Sequence, residues 1–302
     1  MTAIQPIPTP SIEPTWTMSP LPTQTVTDTV QQTLSPTETV TPLPSETPLP
    51  TFTFTPTITP VPQWIFQGPN EVNVPILLYH HIGDSLSNSP YYVSAHEFEQ
   101  QMYLLHEWGY QTISVELMIS AIKGGAMLPP RPIILTFDDG SQSVYSTALP
   151  IMQKYDFTGT VYLVNNYLGI SNYLNIEEVR ALYAAGWEVG SHSITHTDLT
   201  IPSIDQEKEI VESRFRLQRQ LDVPVRTFAY PYGAYNVDSV YFARYAGYIG
   251  AVGLGTSAWQ GNKNLYYLYR RDIKGTYDLQ TFASFLPWQN DMNNLPILTL
   301  VP

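Results

Sequence analysis

Short apolar runs alternate with segments of helical periodicity over most of the chain. Residues 74–80 form a run that is apolar almost to its end, as in a strand buried on both faces of a sheet. In residues 94–108, Phe98, Met102 and Leu105 recur at helical spacing, which predicts an amphipathic helix. This alternation predicts βα units and a parallel sheet.

The rest of the domain repeats this alternation. Further strands are predicted at 132–137, 160–164, 187–189, 225–229, 248–252 and 266–270. Further helices are predicted at 114–123, 143–154, 176–185, 203–221, 237–246 and 278–285. Capping-box spacing occurs in the pairs Ser94 and Glu97, Asn175 and Glu178, and Ser203 and Gln206. The succession predicts an α/β barrel, in which functional residues lie at the C-terminal ends of the strands.

The first 62 residues lack this patterning. They hold 14 of the 27 prolines and 18 threonines, but no glycine, lysine or arginine. Such a segment cannot bury enough apolar surface to offset its ordering entropy. We therefore predict a disordered Thr/Pro-rich linker or stalk over residues 1–65 and one folded domain over residues 66–302. Stalks of this composition are mainly extracellular, so we expect an extracellular or cell-surface location, although no signal peptide is visible.

Charge and cysteine content exclude several functions. The net charge is −12, and the first Lys or Arg of the chain is Lys123. Nucleic acids and anionic membranes are therefore not expected partners, because both need clustered basic residues. The absence of cysteine removes thiol catalysis and thiolate metal ligands. No run of 18 apolar residues occurs, so we expect no insertion into a membrane.

The strand at 132–137 leads into an acidic doublet. Asp138 and Asp139 are followed by Gly140, which allows a sharp turn that could bring both carboxylates into one pocket. Adjacent carboxylates are costly unless a cation or a proton separates them. One Asp could serve as the N-cap of the next helix, but capping needs only one, so the doublet favours a functional role.

Histidines follow two other strands. His192 and His196 have the i, i+4 spacing of a metal-binding pair if the segment turns helically, although a solvated or core pair is an equal alternative. An Asp with two His would form an open three-ligand site. His80 ends the first strand and is expected at the same edge. Tyr232, in a Tyr-Pro-Tyr-Gly turn, could offer a backbone N–H to a pocket or form a simple tight turn.

Three motifs carry a family resemblance. TFDDG at 136–140, SHSITH at 191–196 and FAYPYG at 228–233 occur in this order at successive predicted strand ends. Together they resemble the NodB-homology polysaccharide deacetylases, carbohydrate esterase family 4. The resemblance covers about residues 74–275 and implies a distorted, incomplete (β/α) barrel.

The resemblance also implies roles for individual residues. Asp138 would be the general base, and Asp139, His192 and His196 would bind a divalent metal. The metal would be zinc, with cobalt or nickel able to substitute. Tyr232 would offer its backbone N–H to the oxyanion of the tetrahedral intermediate.

Two departures from the family pattern concern the acid and an arginine. No His follows His196, but the strand ending at His80 resembles the late family motif that carries the acid, moved to the front of the chain. This permuted order resembles the exported poly-N-acetylglucosamine deacetylase branch, so His80 is expected to be the acid and His81 the second choice. Ala229 stands where many members have an arginine. Arg270 or Arg271 could replace it, with Arg271 taken as the site residue and a surface ion pair as the alternative.

The expected function is metal-dependent hydrolysis of acetamide groups on a polysaccharide that contains N-acetylglucosamine. One alternative is an O-acetyl esterase acting on a polysaccharide such as acetylated xylan. Another is a catalytically silent sugar-binding module displayed on the stalk, which the intact set of Asp and His residues disfavours.

Overall fold

The computed structural model describes residues 63–84 and 89–298. The Thr/Pro-rich residues 1–62 lie outside the described residues, so the predicted stalk and the domain boundary at 65/66 stay predictions. The first described strand begins at Ile65.

Fourteen strands occur in the described residues, most of them short. They are β1 (Ile65–Gln67), β2 (Glu71–Asn73), β3 (Ile76–Tyr79), β4 (His81–Ile82), β5 (Tyr92–Val93), β6 (Gln111–Thr112), β7 (Ala126–Leu128), β8 (Pro132–Phe137), β9 (Thr160–Leu163), β10 (Glu188–Ser191), β11 (Thr227–Ala229), β12 (Gly250–Val252), β13 (Trp259–Gly261) and β14 (Arg271–Asp272).

The α-helices connect most of these strands. They are α1 (Ala95–Glu107), α2 (Val115–Gly124), α3 (Leu149–Gln153), α4 (Ile176–Ala184), α5 (Ser213–Leu221), α6 (Val237–Tyr245) and α7 (Leu279–Ser284). Two π-helical turns, Val144–Ala148 and Lys208–Glu212, lead directly into α3 and α5. Three single 3₁₀ turns are Asn165–Tyr167, Pro231–Gly233 and Asn262–Asn264.

The main sheet is parallel throughout. Its strand order is β12-β11-β10-β9-β8-β3-β14, and β6 also pairs with β8. The strands curl into a half-barrel with helices around it, which confirms the predicted distorted, incomplete (β/α) barrel. Parallel strands end at the same edge, so the segments after β3, β8, β10 and β11 meet there.

The sheet is buried on both faces, as its apolar strands predict. Leu77 and Leu135 belong to one apolar cluster, while Ile76 and Ile134, next to them in sequence, belong to a second. This division follows from the alternation of side chains along a strand. The charged and polar groups of the sheet are therefore concentrated at the strand ends.

Most predicted helix starts are confirmed. Ser94 and Asn175 form complete capping boxes, and Ser114 and Asp278 cap their helices through a side-chain oxygen. The cap predicted at 203–206 is wrong. The helical segment is instead capped by Asp205, whose Oδ1 accepts a hydrogen bond of 3.0 Å from the Lys208 N–H.

The strand predicted at 266–270 is also placed differently. β14 lies a few residues later and pairs with β3, while Leu268 makes only an isolated bridge to Val252. Several two- and three-residue strands, such as β1 and β7, were not predicted, because segments this short show no periodicity. No helix within the described ranges is long and apolar enough to cross a membrane.

Candidate active site

Asp138 and Asp139 follow β8 at the C-terminal edge of the sheet. Asp138 is 2% exposed, and its N–H donates to the carbonyl oxygen of Tyr79 on β3 at 3.0 Å. Asp139 has a φ of 68° and Gly140 a φ of 77°, so the chain turns sharply through the left-handed region. Both aspartates line one cleft of about 310 Å³, as the doublet and its glycine predicted.

Arg270 holds Asp138 through two parallel hydrogen bonds. Arg270 Nη1 lies 2.7 Å from Asp138 Oδ1, and Nη2 lies 2.7 Å from Oδ2, with both side chains buried. Burial by itself raises the pKa of Asp138, but the charge and the hydrogen bonds of Arg270 are the main cause that outweighs it and lowers the pKa from 3.8 to about 2. Asp138 is therefore a carboxylate at neutral pH.

The structure places Arg271, the predicted site residue, away from the residues that line the cleft. Its guanidinium lies over the ring of Phe285, 4.4 Å from the ring centroid, and its Nη2 contacts the carbonyl oxygen of Thr256 at 3.4 Å. Successive side chains of an extended segment point to opposite sides, so only one of two adjacent arginines can face the cleft. Arg270 is that residue.

Asp139, His192 and His196 converge on one point of the cleft. Asp139 Oδ1 lies 3.3 Å from His196 Nε2 and 3.7 Å from His192 Nε2. One ligand atom from each residue can be chosen so that all three lie within 4.8 Å of one another. Ligands of a tetrahedral zinc ion at bond lengths of about 2.0–2.2 Å are separated by roughly 3.3 Å, which is close to these distances.

Two further observations support a cation at this point. Asp139 Oδ1 is buried and has no hydrogen-bond partner within the described part of the chain. Burial together with the charge of Asp138 raises the pKa of Asp139 to about 7. His192 Nδ1 lies 2.8 Å from the Ala229 carbonyl oxygen, which can only accept, so Nδ1 carries the proton and Nε2 is free to bind. Burial lowers the pKa of His192 to about 4, which keeps the ring neutral, as a ligand must be.

The segment between the two histidines is a loop and not the helical turn considered from the spacing. Ser193 and His196 have φ values of 68° and 60°, both in the left-handed region. The two imidazole rings nevertheless lie 4.8 Å apart. The i, i+4 spacing therefore predicted that the two imidazole rings lie close together, but it did not predict the loop conformation that brings them together.

His80 lies across the cleft, next to Asp272 at the end of β14. His80 Nδ1 is 3.9 Å from Asp272 Oδ1, and both atoms are buried and have no hydrogen-bond partner among the residues that the structure describes. Burial lowers the pKa of His80 to about 4, although Asp138 and Asp272 act in the opposite direction. His81 also lines the cleft but stacks on Tyr92, with 4.4 Å between the ring centroids.

Tyr232 lies at the turn after β11. Its backbone is left-handed, with φ of 60° and ψ of 7°, and its side chain is largely exposed. The tyrosine ring packs 4.6 Å from the His196 ring. Tyr232 thus forms the wall of the cleft beside the Asp/His/His group.

Sequence reasoning missed the role of Asp272 in this cleft. A usable signal was present, because Arg270 and Asp272 are two positions apart and lie on the same side of an extended segment. Lys274, which forms an ion pair with Asp272, was not singled out at all.

Fold and cleft together define a class of protein. Residues 126–251 match the family model described as polysaccharide deacetylase. The resemblance to the polysaccharide deacetylases that the three motifs predicted is therefore confirmed over residues 126–251.

Known relatives agree with this assignment. The chain is 27% identical to YxkH of Bacillus subtilis (strain 168) over 219 residues, which cover 70% of this chain and 76% of YxkH. It is 26% identical over 197 residues to the poly-beta-1,6-N-acetyl-D-glucosamine N-deacetylase of Staphylococcus aureus (strain MRSA252), covering 60% of this chain and 67% of that enzyme. The Streptococcus pyogenes deacetylase PplD, solved in complex with acetate, superposes with a TM-score of 0.66 at 26% identity, covering 71% of this chain and 98% of PplD.

Proposed function

We propose that this protein is a metal-dependent hydrolase that removes acetyl groups from N-acetylglucosamine units of a polysaccharide. The observation that carries the proposal is the Asp139, His192 and His196 group beside the arginine-held Asp138 in one cleft. The similarity to the Staphylococcus aureus enzyme supports the choice of an N-acetylated sugar.

Asp139, His192 and His196 would hold the divalent metal. Two imidazoles and one carboxylate are ligands typical of zinc, and cobalt or nickel would fit the same set. When bound, the ion would polarise the acetamide carbonyl and lower the pKa of a water molecule. The remaining chemistry falls to the side chains around it.

Asp138 would act as the general base. Its bidentate contact with Arg270 keeps it ionised and fixes both carboxylate oxygens, and His192 Nε2 lies 3.6 Å from Asp138 Oδ2. A fixed, ionised carboxylate at this point can take a proton from a water molecule that attacks the carbonyl carbon.

His80 would deliver a proton to the leaving amine. Its lowered pKa makes the ring neutral in the free cleft, so His80 must gain the proton during the reaction. The balance closes when the proton that Asp138 takes from the water is passed on to His80, which delivers it to the amine nitrogen as the C–N bond breaks, so that both side chains return to their starting states. Asp272 would orient the ring and stabilise its charged form.

Tyr232 would complete the site through its backbone N–H. The left-handed turn at this residue borders the Asp/His/His group, where negative charge develops on the carbonyl oxygen. A backbone donor at that point stabilises the tetrahedral oxyanion without moving.

The reaction can be tested directly. The purified full chain, loaded with zinc or cobalt, should release acetate from oligomers of N-acetylglucosamine. Asp138→Asn should lose most of this activity, and His192→Ala combined with His196→Ala should lose the bound metal. Acetate release that survives Asp138→Asn, or an unchanged metal content in the double variant, would refute the proposal.

The paired His80 and Asp272 favour an amide substrate over an ester. An amine leaves only with a proton, whereas an alkoxide needs much less assistance. His80→Ala should therefore reduce acetate release from the N-acetylated substrate far more than from an O-acetylated xylan. A chain that releases acetate from the xylan and loses little of this activity in His80→Ala would favour the esterase.

We further propose that the domain works outside the cell or at its surface, where such polysaccharides are found. The support is the Thr/Pro-rich composition of residues 1–62. Fractionation of cells that produce the full chain, followed by detection in medium, envelope and cytoplasm, tests this location. Recovery in the cytoplasm alone would contradict it.

A further inference from the structure

Glu209 is a buried carboxylate that the proposed reaction does not use. It lies in the π-helical turn before α5 and is 6% exposed. Its Oε2 accepts hydrogen bonds from the N–H groups of Ile194 and Thr195, both at 2.9 Å. Its Oε1 accepts a third, from the Thr195 hydroxyl, at 2.9 Å. One side chain thus binds three donors of the loop between His192 and His196.

Other polar groups of this loop have partners elsewhere, and none of these partners binds the three donors that Glu209 accepts from. The His196 N–H donates to Ser193 Oγ at 2.9 Å. The carbonyl oxygens of Ser193 and Ile194 accept from two backbone N–H groups just after β9, at 3.1 and 3.0 Å. Within the described residues, Glu209 is the side chain that satisfies the two central N–H groups, and without it the N–H of the buried Ile194 would lose its partner.

The loop also adopts a backbone that needs support. Ser193 and His196 are both non-glycine residues in the left-handed region. This conformation costs free energy and persists only where the surroundings impose it. The three hydrogen bonds to Glu209 lie between these two strained positions, so they act on the segment whose shape decides where the imidazoles point.

We infer that Glu209 is a positioning residue that holds His192 and His196 at metal-binding separation. The inference rests on the proposed metal site. It adds to that site a supporting residue from the π-helical turn before α5. Glu209 is not one of the three proposed metal ligands. It acts through the loop, as partners of metal ligands commonly do.

The test compares metal binding in three variants of the full chain. Glu209→Ala removes all three hydrogen bonds, while Glu209→Gln keeps one acceptor oxygen for the two N–H groups. Arg214→Ala is the matched control, because Arg214 lies in α5 and donates to the carbonyl oxygens of Val225 and Ala246, away from the loop. Zinc affinity is measured by competition with a chelating dye, together with the absorption spectrum of the cobalt form and the melting temperature with and without zinc.

The expected result separates positioning from general stability. Glu209→Ala should weaken zinc affinity by about 10- to 100-fold, the range seen for partners of metal ligands, and should alter the cobalt spectrum. Glu209→Gln should fall between this variant and the wild type. Arg214→Ala should lower the melting temperature of the metal-free and zinc-loaded forms alike, with unchanged affinity.

Every other result would contradict either the positioning role of Glu209 or the proposed function. Wild-type affinity and spectrum in Glu209→Ala, or an equal loss of affinity in Arg214→Ala, would overturn the positioning role. If Glu209→Ala does not fold, Glu209→Gln decides, since unchanged affinity and cobalt spectrum there would also overturn it. A wild-type chain that binds zinc but releases no acetate would refute the proposed function and leave the inference intact, whereas a wild-type chain that binds no metal would overturn both.

Discussion

Two buried carboxylates of the barrel, Asp138 and Glu188, differ in their partners and therefore in their charge. Asp138 follows the last residue of β8 and receives two hydrogen bonds from the Arg270 guanidinium. Glu188 is the first residue of β10 and receives hydrogen bonds from the Thr227 hydroxyl at 2.7 Å and the Glu116 N–H at 3.2 Å. Neither partner of Glu188 carries a positive charge.

The difference in partners decides whether the pKa of the buried acid rises or falls. Burial raises the pKa of Glu188 from 4.5 to about 7, and its hydrogen bonds offset only part of this. Burial acts on Asp138 in the same direction, but the charge of Arg270 is the main reason why its pKa falls to about 2. Of these two acids, the one that has only neutral donors has a raised pKa, whereas the one that faces a cation has a lowered pKa.

Removal of the guanidinium should have the largest effect. Arg270→Met would leave Asp138 buried without its counter-ion, so we expect acetate release to fall by about 100-fold or more, the usual contribution of a general base. The free energy of unfolding at neutral pH should fall by about 3–5 kcal/mol, as for other broken buried ion pairs. Kinetics and urea denaturation measure the two effects. Retention of wild-type activity would show that Asp138 keeps its charge without Arg270.

Glu188 should make stability depend on pH. Its folded pKa is above its unfolded value, so its stabilising contribution is present below about pH 4.5 and is lost as the pH rises through 7. A shift of this size corresponds to about 3 kcal/mol. Glu188→Gln should therefore reduce the loss of stability between pH 5 and pH 8.5 by roughly this amount, measured by urea denaturation. The exposed Glu212→Gln is the control, and equal pH dependence in wild type and Glu188→Gln would contradict the prediction.

Asp272 is an intermediate case, because it is partly exposed and is shared between Lys274 and His80. Asp272→Asn keeps the shape of the side chain but removes its charge. We expect acetate release from an acetamide substrate to fall by about 10- to 100-fold, with a smaller loss on an acetate ester. A parallel loss on both substrates would show that Asp272 does not act through the proton donor.

Arg271 should give the smallest effect and is the natural control for Arg270. Its guanidinium packs on Phe285 outside the cleft. Arg271→Ala should change the free energy of unfolding by no more than about 0.5 kcal/mol and leave acetate release unchanged. A large loss of activity in this variant would support Arg271 as the site residue that the sequence predicts.

Local sequence rules predicted most of the barrel. The β8 strand was predicted with its observed bounds, because six buried residues, all apolar except Thr136, lie between clear turn signals. The Asp doublet, the two histidines and His80 could be assigned to one edge of the sheet, because parallel strands share their C-terminal edge. These predictions needed only periodicity and strand direction.

The remaining features of the site depend on three-dimensional geometry that no local sequence pattern encodes. Which of two adjacent arginines faces the cleft depends on the exact position of β14, a strand of two residues. The left-handed positions in the His192 to His196 loop depend on Glu209, which lies in another element. Its π-helical turn leaves no recognisable mark in the sequence, because the apolar spacing there still predicts an ordinary helix.

The pairing of β3 with β14 has a consequence for how the protein matures. β3 lies near the start of the domain and β14 near its end, yet they are neighbours in the sheet and bring His80 next to Asp272. Such a contact spans almost the whole domain and closes late, because a long loop must first be ordered. A nascent chain that does not yet include β14 therefore cannot complete the proposed proton-donating side of the cleft, so residues 76–272 must all be synthesised before the domain can be active.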